Sequence, residues 1–191
     1  MKVWLLLLCL PLLSQCASWR FQAQDCAAHP PPVASALWNE PFNRVQQLRF
    51  RGAQQRELLM VVRRDAQGLQ MQALSPFGVE LFQLHWQGQS LDSQSLPAAI
   101  QDIDLRLLIA DFQLVHWPLE RLQATWQGSA WQLQQDASVR RLSCAGVAVS
   151  EVRYPGAEAP LDPIILSNHL AGYTLEILNL DAPSAEAAAP P

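Results

Sequence analysis

Between residues 56 and 88, three apolar runs are separated by turn signals at residues 65–68, at Ser75-Pro76-Phe77-Gly78 and at Gln87-Gly88. In the middle run Leu69, Met71 and Ala73 alternate with Gln70 and Gln72. That is the period-two pattern of a strand with one wet face. In residues 79–86 the apolar phase flips, from Val79 and Leu81 to Phe82, Leu84 and Trp86. A bulge, or burial on both faces, explains such a flip. The stretch predicts a curved three-stranded antiparallel meander with apolar residues on its concave side.

The same pattern extends to both sides. Leu48 and Phe50 mark a strand over residues 45–51, and residues 89–96 form a weaker one. The period then changes. Leu105, Leu108, Ile109 and Phe112 fall at i, i+3, i+4 and i+7, a helical stripe. Asp102 suits its N-cap and Asp104 its first turn. Pro118 suits the start of a second helix carrying Leu119, Leu122 and Trp126. Strands resume with Trp131 and Leu133, at residues 139–144, 147–154 and 164–167, and with Tyr173, Leu175 and Ile177. Strands, then helices, then strands predict the α+β class: a curved antiparallel sheet, an open half-barrel, with helices packed on its concave face. This domain spans residues 37–181, and the Ala/Pro-rich residues 182–191 predict a disordered tail.

The N-terminus changes the picture. Lys2 precedes an apolar run over residues 3–13, too short to span a bilayer as a helix. Residues 1–15 therefore predict a signal peptide. Leu13-Ser14-Gln15-Cys16 resembles the lipobox of bacterial lipoproteins. The resemblance implies acylation of Cys16, palmitate included. With Ala17 rather than Asp next, it also implies sorting to the outer membrane, facing the periplasm. Ordinary cleavage near Ala17 is the alternative. Acyl chains would hold the membrane at about 0.8 kcal/mol per buried methylene. Residues 16–36, with Pro30-Pro31-Pro32, predict a semi-extended tether.

Charge and cysteine usage narrow the class. Lys2 is the only lysine, so beyond it 13 − 1 = 12 arginines face 17 acidic residues, a net charge of −5. That balance argues against nucleic acid as a partner. Without lysine the mature chain has no Schiff-base or P-loop lysine. Cys26 and Cys144 remain as an even pair for an oxidising compartment. They could form one disulfide, tying the leader to the sheet, or stay as two thiols.

Catalytic patterns are missing: no Gly-x-Ser-x-Gly, His-Glu-x-x-His, phosphate-binding loop or Cys-x-x-Cys occurs. His85, His116 and His169 are scattered singly and read as satisfied or exposed histidines, with a zinc site as the alternative; Asp111 near His116 reads as a helix charge beside a connector histidine, with an acid–base pair as the alternative. Arg63-Arg64 and Arg140-Arg141 could contact lipid phosphates, but strand neighbours point to opposite faces. The expectation is a non-enzyme with no cofactor and no metal.

Leu74-Ser75-Pro76-Phe77-Gly78 before an apolar strand, and the helical block ending in His116-Trp117-Pro118, resemble the carriers and outer-membrane receptors of the Lol lipoprotein system. Asn168-His169 and the Gly172-Tyr173-Thr174-Leu175-Glu176-Ile177 ending are similar to an uncharacterised lipoprotein family that accompanies aryl-polyene and fatty-acid-type gene clusters. The resemblance covers most of residues 40–180. It implies an apolar cavity between half-barrel and helices. Candidate lining residues on strands are Met71, Leu81, Phe82, Leu84, Trp86, Trp131 and Leu133. On the helices and their connector they are Leu105, Leu108, Phe112 and Trp117. The same side chains would serve a plain core. Phe77 is the candidate for a loop touching membrane or partner. The expected function is to bind a lipid, acyl or polyene chain for carriage or insertion at the outer membrane. The expected partners are that ligand, the membrane through Cys16, and other envelope proteins. The alternative is a structural or assembly lipoprotein without a ligand.

Overall fold

The computed structural model describes Cys26, Pro30, residues 32–34, 40–95 and 103–180. The expected signal peptide, Cys16, Asp102 and residues 182–191 lie outside the described residues. Along the chain run β1 (Phe42–Arg51), β2 (Gln55–Asp65), β3 (Gly68–Leu74), β4 (Glu80–Gln87) and β5 (Ser90–Ser95). The helices α1 (Leu105–His116) and α2 (Leu119–Trp126) follow. Then come β6 (Trp131–Asp136), β7 (Val139–Cys144), β8 (Val147–Arg153), β9 (Ile164–Asn168) and β10 (Tyr173–Asn179).

All ten strands belong to one antiparallel sheet, in the order β5-β4-β3-β2-β1-β10-β9-β8-β7-β6. The sheet is open, with β5 and β6 at its edges. This corrects the expected α+β half-barrel with helices packed on a concave face. The helices contribute only 12 and 8 residues, too little for a layer opposite ten strands. The order strands, helices, strands suggests two layers. Instead β1 pairs with β10, Phe50 opposite Leu175 and Leu48 opposite Ile177, and merges both strand groups into one sheet. The helices are an insertion between its two edge strands.

Alternation decides which side of each strand is dry. Leu58, Met60 and Val62 of β2, Leu69, Met71 and Ala73 of β3, and Phe82, Leu84 and Trp86 of β4 are buried. The opposite face is polar and carries cross-strand ion pairs such as Arg49–Glu57 and Arg141–Glu151. The phase flip in residues 79–86 is a bulge. Ala73 pairs with Phe82 but Leu74 with Glu80, leaving Leu81 as the extra residue.

Helix α1 is capped by Asp104, not Asp102: its carboxylate accepts from the backbone N–H groups of Arg106 and Leu107. Arg140, on β7, donates from Nη1 to the carbonyls of Leu114 (2.7 Å) and Trp117 (2.9 Å) at the other end of the helix. Those carbonyls have no helical partner, so a buried guanidinium satisfies them. Pro118 sits just before α2, where its missing N–H costs nothing. Among the described residues no helix is long and apolar enough to cross a membrane.

Candidate functional site

Strand direction divides the connections into two groups. At one end lie the β1–β2 turn (residues 52–54), the β3–β4 turn (75–79), the β7–β8 turn (145–146) and the β9–β10 turn (169–172). None of these contains Asp, Glu, Lys or Arg. At the opposite end the β8–β9 loop carries Glu158 and Asp162, and Asp65 and Asp136 close their strands. We refer to the Phe77 end and the Asp136 end.

The β3–β4 turn is built to present Phe77. Pro76 fixes the first corner, and Gly78 N–H donates to the Ser75 carbonyl at 2.9 Å. Gly78 has φ +81°, a left-handed conformation that costs glycine little. Ser75 Oγ accepts from Val79 N–H at 3.1 Å. Phe77 is left at the tip, 95% exposed, with Val79 also exposed.

A groove of about 460 Å³ opens at the same end. Phe50, Leu107, Leu108 and Tyr173 supply its walls, while Ala53 and Ala171 stand at the two bordering turns. Gln54, Arg56 and Asp104 also line it. The walls come from β1, the start of β10 and the first turn of α1, so no single element could form the groove.

Behind Tyr173 lies a buried polar cluster. Asp111 of α1 is 4% exposed. Its carboxylate accepts from the Tyr173 hydroxyl and from Asn168 Nδ2 (3.2 Å). Asn168 Oδ1 in turn accepts from Ala171 N–H at 2.9 Å, fixing the β9–β10 turn. Burial raises the Asp111 pKa to about 7, although both hydrogen bonds favour the charged form. Burial, then the neighbouring carboxylate, pushes the Tyr173 phenol well above its ordinary value. His116 stands apart. Its ring Nε2 lies 3.1 Å from Gln46 Nε2, and burial followed by Arg44 and Arg140 lowers its pKa to about 3. Asp111 and His116 therefore belong to different environments.

The leader is held at two points. Cys26 and Cys144 form a disulfide, S–S 2.01 Å. Val33 N–H donates to Gln113 Oε1 at 2.7 Å, and the Val33 carbonyl accepts from Gln113 Nε2 at 2.7 Å and from Trp86 Nε1 at 3.1 Å. A second groove of about 530 Å³ runs beside this segment, bordered by Val33, Arg106, Trp86, Trp126 and Trp131.

The residues expected to line a cavity are divided by the structure. Met71, Phe82, Leu84, Phe112, Trp117 and Leu133 are buried in the apolar core. Leu81 and Leu105 are half-buried against it. Leu108 reaches the groove at the Phe77 end, and Trp86 and Trp131 border the second groove. The arginine pairs split by face. Arg140 is buried and Arg141 is exposed on Glu151; Arg64 is buried and Arg63 is exposed on Asp65. No local pattern in the sequence marks Phe50, Leu107, Tyr173 or Gln113 as site residues, since only the fold brings them to these places. Among the described residues no group of three or more His, Cys, Asp or Glu side chains could hold a metal.

No curated protein matches the sequence significantly. Residues 43–181, β1 through the end of β10, match the profile of a family described as protein of unknown function (DUF3261), and the chain belongs to that family.

Proposed function

We propose that this protein is a lipoprotein of the outer membrane, acylated at Cys16 and facing the periplasm, that takes an apolar chain into the groove at the Phe77 end. The ligand class is a lipid, acyl or polyene chain, for carriage or insertion at the membrane. The observation that carries the reading is the groove itself. Its volume of about 460 Å³ lies within the range of about 300–1,000 Å³ usual for small-molecule sites. Phe50, Leu107, Leu108 and Tyr173 supply most of its apolar wall, beside Gln54, Arg56 and Asp104. It opens at the end of the sheet where Phe77 stands exposed. Such an arrangement lets a chain pass between bilayer and groove. The sequence likeness to Lol carriers and receptors, and to lipoproteins of polyene and fatty-acid-type clusters, supports the same ligand class.

The test is competitive binding of a fluorescent acyl-chain reporter. Ala53 is exposed at the groove margin, so Ala53→Trp should fill the groove without disturbing the core. Reporter affinity is expected to fall several-fold with an unchanged melting temperature. Absence of saturable binding, or binding indifferent to Ala53→Trp and Leu107→Asp, would leave the assembly lipoprotein without ligand as the better reading.

A further inference from the structure

Ten peptide steps separate Cys16 from Cys26 (26 − 16 = 10). Fully extended they reach about 33–36 Å. Cys26 is bonded to Cys144, the last residue of β7. Cys144 pairs with Val147 across the β7–β8 turn, and Val147 is 67% exposed. Among the described residues, the next point at which the leader is hydrogen-bonded to the body of the protein is Val33. It is 33 − 16 = 17 residues from Cys16, a reach of about 60 Å. Val33 is buried beside Gln113 and Trp86. The disulfide thus shortens the leader and attaches it directly beside the β7–β8 turn at the Phe77 end.

We infer that the Cys26–Cys144 disulfide is an orienting tether: it fixes the lipid-anchored leader to the Phe77 end, so that the β7–β8 turn, led by Val147, rests on the bilayer together with the β3–β4 turn. The inference rests on the proposed acylation of Cys16. A bilayer is the occupant that the length of the leader specifies, because the leader ends in it. Composition agrees at the turns themselves. Ala145 and Gly146 offer no charge, and none of the four turns at this end carries an acid for an anionic leaflet to repel, whereas the β8–β9 loop at the opposite end carries Glu158 and Asp162. The β3–β4 and β7–β8 turns stand six strand positions apart in the sheet order. At about 4.8 Å per strand that is about 29 Å along the sheet, a two-point footprint that suits a surface better than a pocket.

The experiment uses the full acylated protein in vesicles of phosphatidylethanolamine and phosphatidylglycerol. A photo-crosslinking benzoylphenylalanine is placed at position 147 or at position 136, and lipid adducts are counted by mass spectrometry. Position 147 is expected to give severalfold more adduct than position 136. Cys26→Ser with Cys144→Ser should lower that excess severalfold while the protein stays vesicle-bound. A Gly/Ser insert of about twenty residues between positions 20 and 21 should do the same with the disulfide intact, which keeps the test valid if the serine variant unfolds. Equal adducts at 147 and 136, or an excess that the insert leaves unchanged, would overturn the inference. Intact mass before irradiation reports acylation separately. An unacylated chain overturns the lipoprotein reading itself, and the orientation with it.

Discussion

The two ends of the sheet are made from the same kind of element and differ in what it carries. At the Phe77 end four connections contain no charged residue, and Phe77, Val79, Val147 and Leu170 stand exposed on or beside them. At the Asp136 end Leu161, at 77%, and Leu180, at 47%, are also open, but Leu161 lies beside Asp162 and three residues from Glu158, and Leu180 is followed by Asp181. Exposed apolar residues scattered among charges are ordinary; several on turns that carry no charge mark a surface that something else covers. Folding does not ask for this asymmetry, since a turn closes equally well with Asp or Ser at its tip. Only the Phe77 end combines it with a groove and with the disulfide-held leader.

The largest expected effect comes from cutting the leader loose. Cys26 and Cys144 are 118 residues apart in sequence. Replacing both with serine should cost about 2–5 kcal/mol of stability, read by denaturant titration. Gln113→Ala should cost less, about 1–3 kcal/mol, by stranding the buried N–H of Val33 and weakening the hold on its carbonyl. If the Gln113 variant proves the more damaging of the two, the leader is held chiefly by Gln113, and the Phe77 end loses its special attachment.

The cluster behind the groove supplies a pH signature at that same end. Asp111 has a folded pKa raised to about 7 from 3.8. Between those values the folded state binds the proton that the unfolded state has released. Its stabilising contribution is complete below about pH 4 and is lost as pH rises through 7. Asp111→Asn should therefore remove a decline on the order of a few kcal/mol between pH 4 and 7 in the stability profile. His116 works in the other direction, because its lowered pKa weakens the fold as pH falls below 6.5 towards 3. A His116→Gln variant should flatten only the acidic limb. Should Asp111→Asn instead leave the neutral limb sloping as in the parent, the carboxyl does not titrate in that window.

Much of the strand framework could be read in the chain, because alternation in runs such as Leu69, Met71 and Ala73 is a local signal. The fold class could not. It turns on β1 meeting β10, a pairing between Leu48 and Ile177 that no local pattern announces. The helical stripe at Leu105, Leu108, Ile109 and Phe112 was clear, yet it suggested a layer where the chain has only an insertion of two short helices. Asp102 was expected at the N-cap and Asp104 in the first turn, two residues on, and only the direction of the backbone N–H groups shows that Asp104 is the cap. The turn around Phe77 was legible because proline and glycine act locally. The groove was not, since Phe50, Leu107 and Tyr173 become neighbours only through the β1–β10 pairing and the return of α1.

The smallest effect on stability tests the comparison between the ends most sharply. Phe77 and Leu161 are both exposed and make no core contact to lose, so Phe77→Glu and Leu161→Glu should each change stability by no more than about 0.5 kcal/mol. Their effect on membrane contact should differ. In a Cys16→Ser background any vesicle binding must come from the protein surface rather than from acyl chains. Burying a phenylalanine contributes roughly 1.5–3 kcal/mol, and each 1.4 kcal/mol is about tenfold in affinity. Phe77→Glu should then weaken flotation with phosphatidylglycerol vesicles by about tenfold or more, while Leu161→Glu leaves it unchanged. A second glutamate, at Val147, should lower it further, because the two turns touch the same surface from separate positions. Equal losses at Phe77 and Leu161 would mean that added negative charge acts anywhere on the protein. The distinction between the two ends would then be one of composition without consequence for binding.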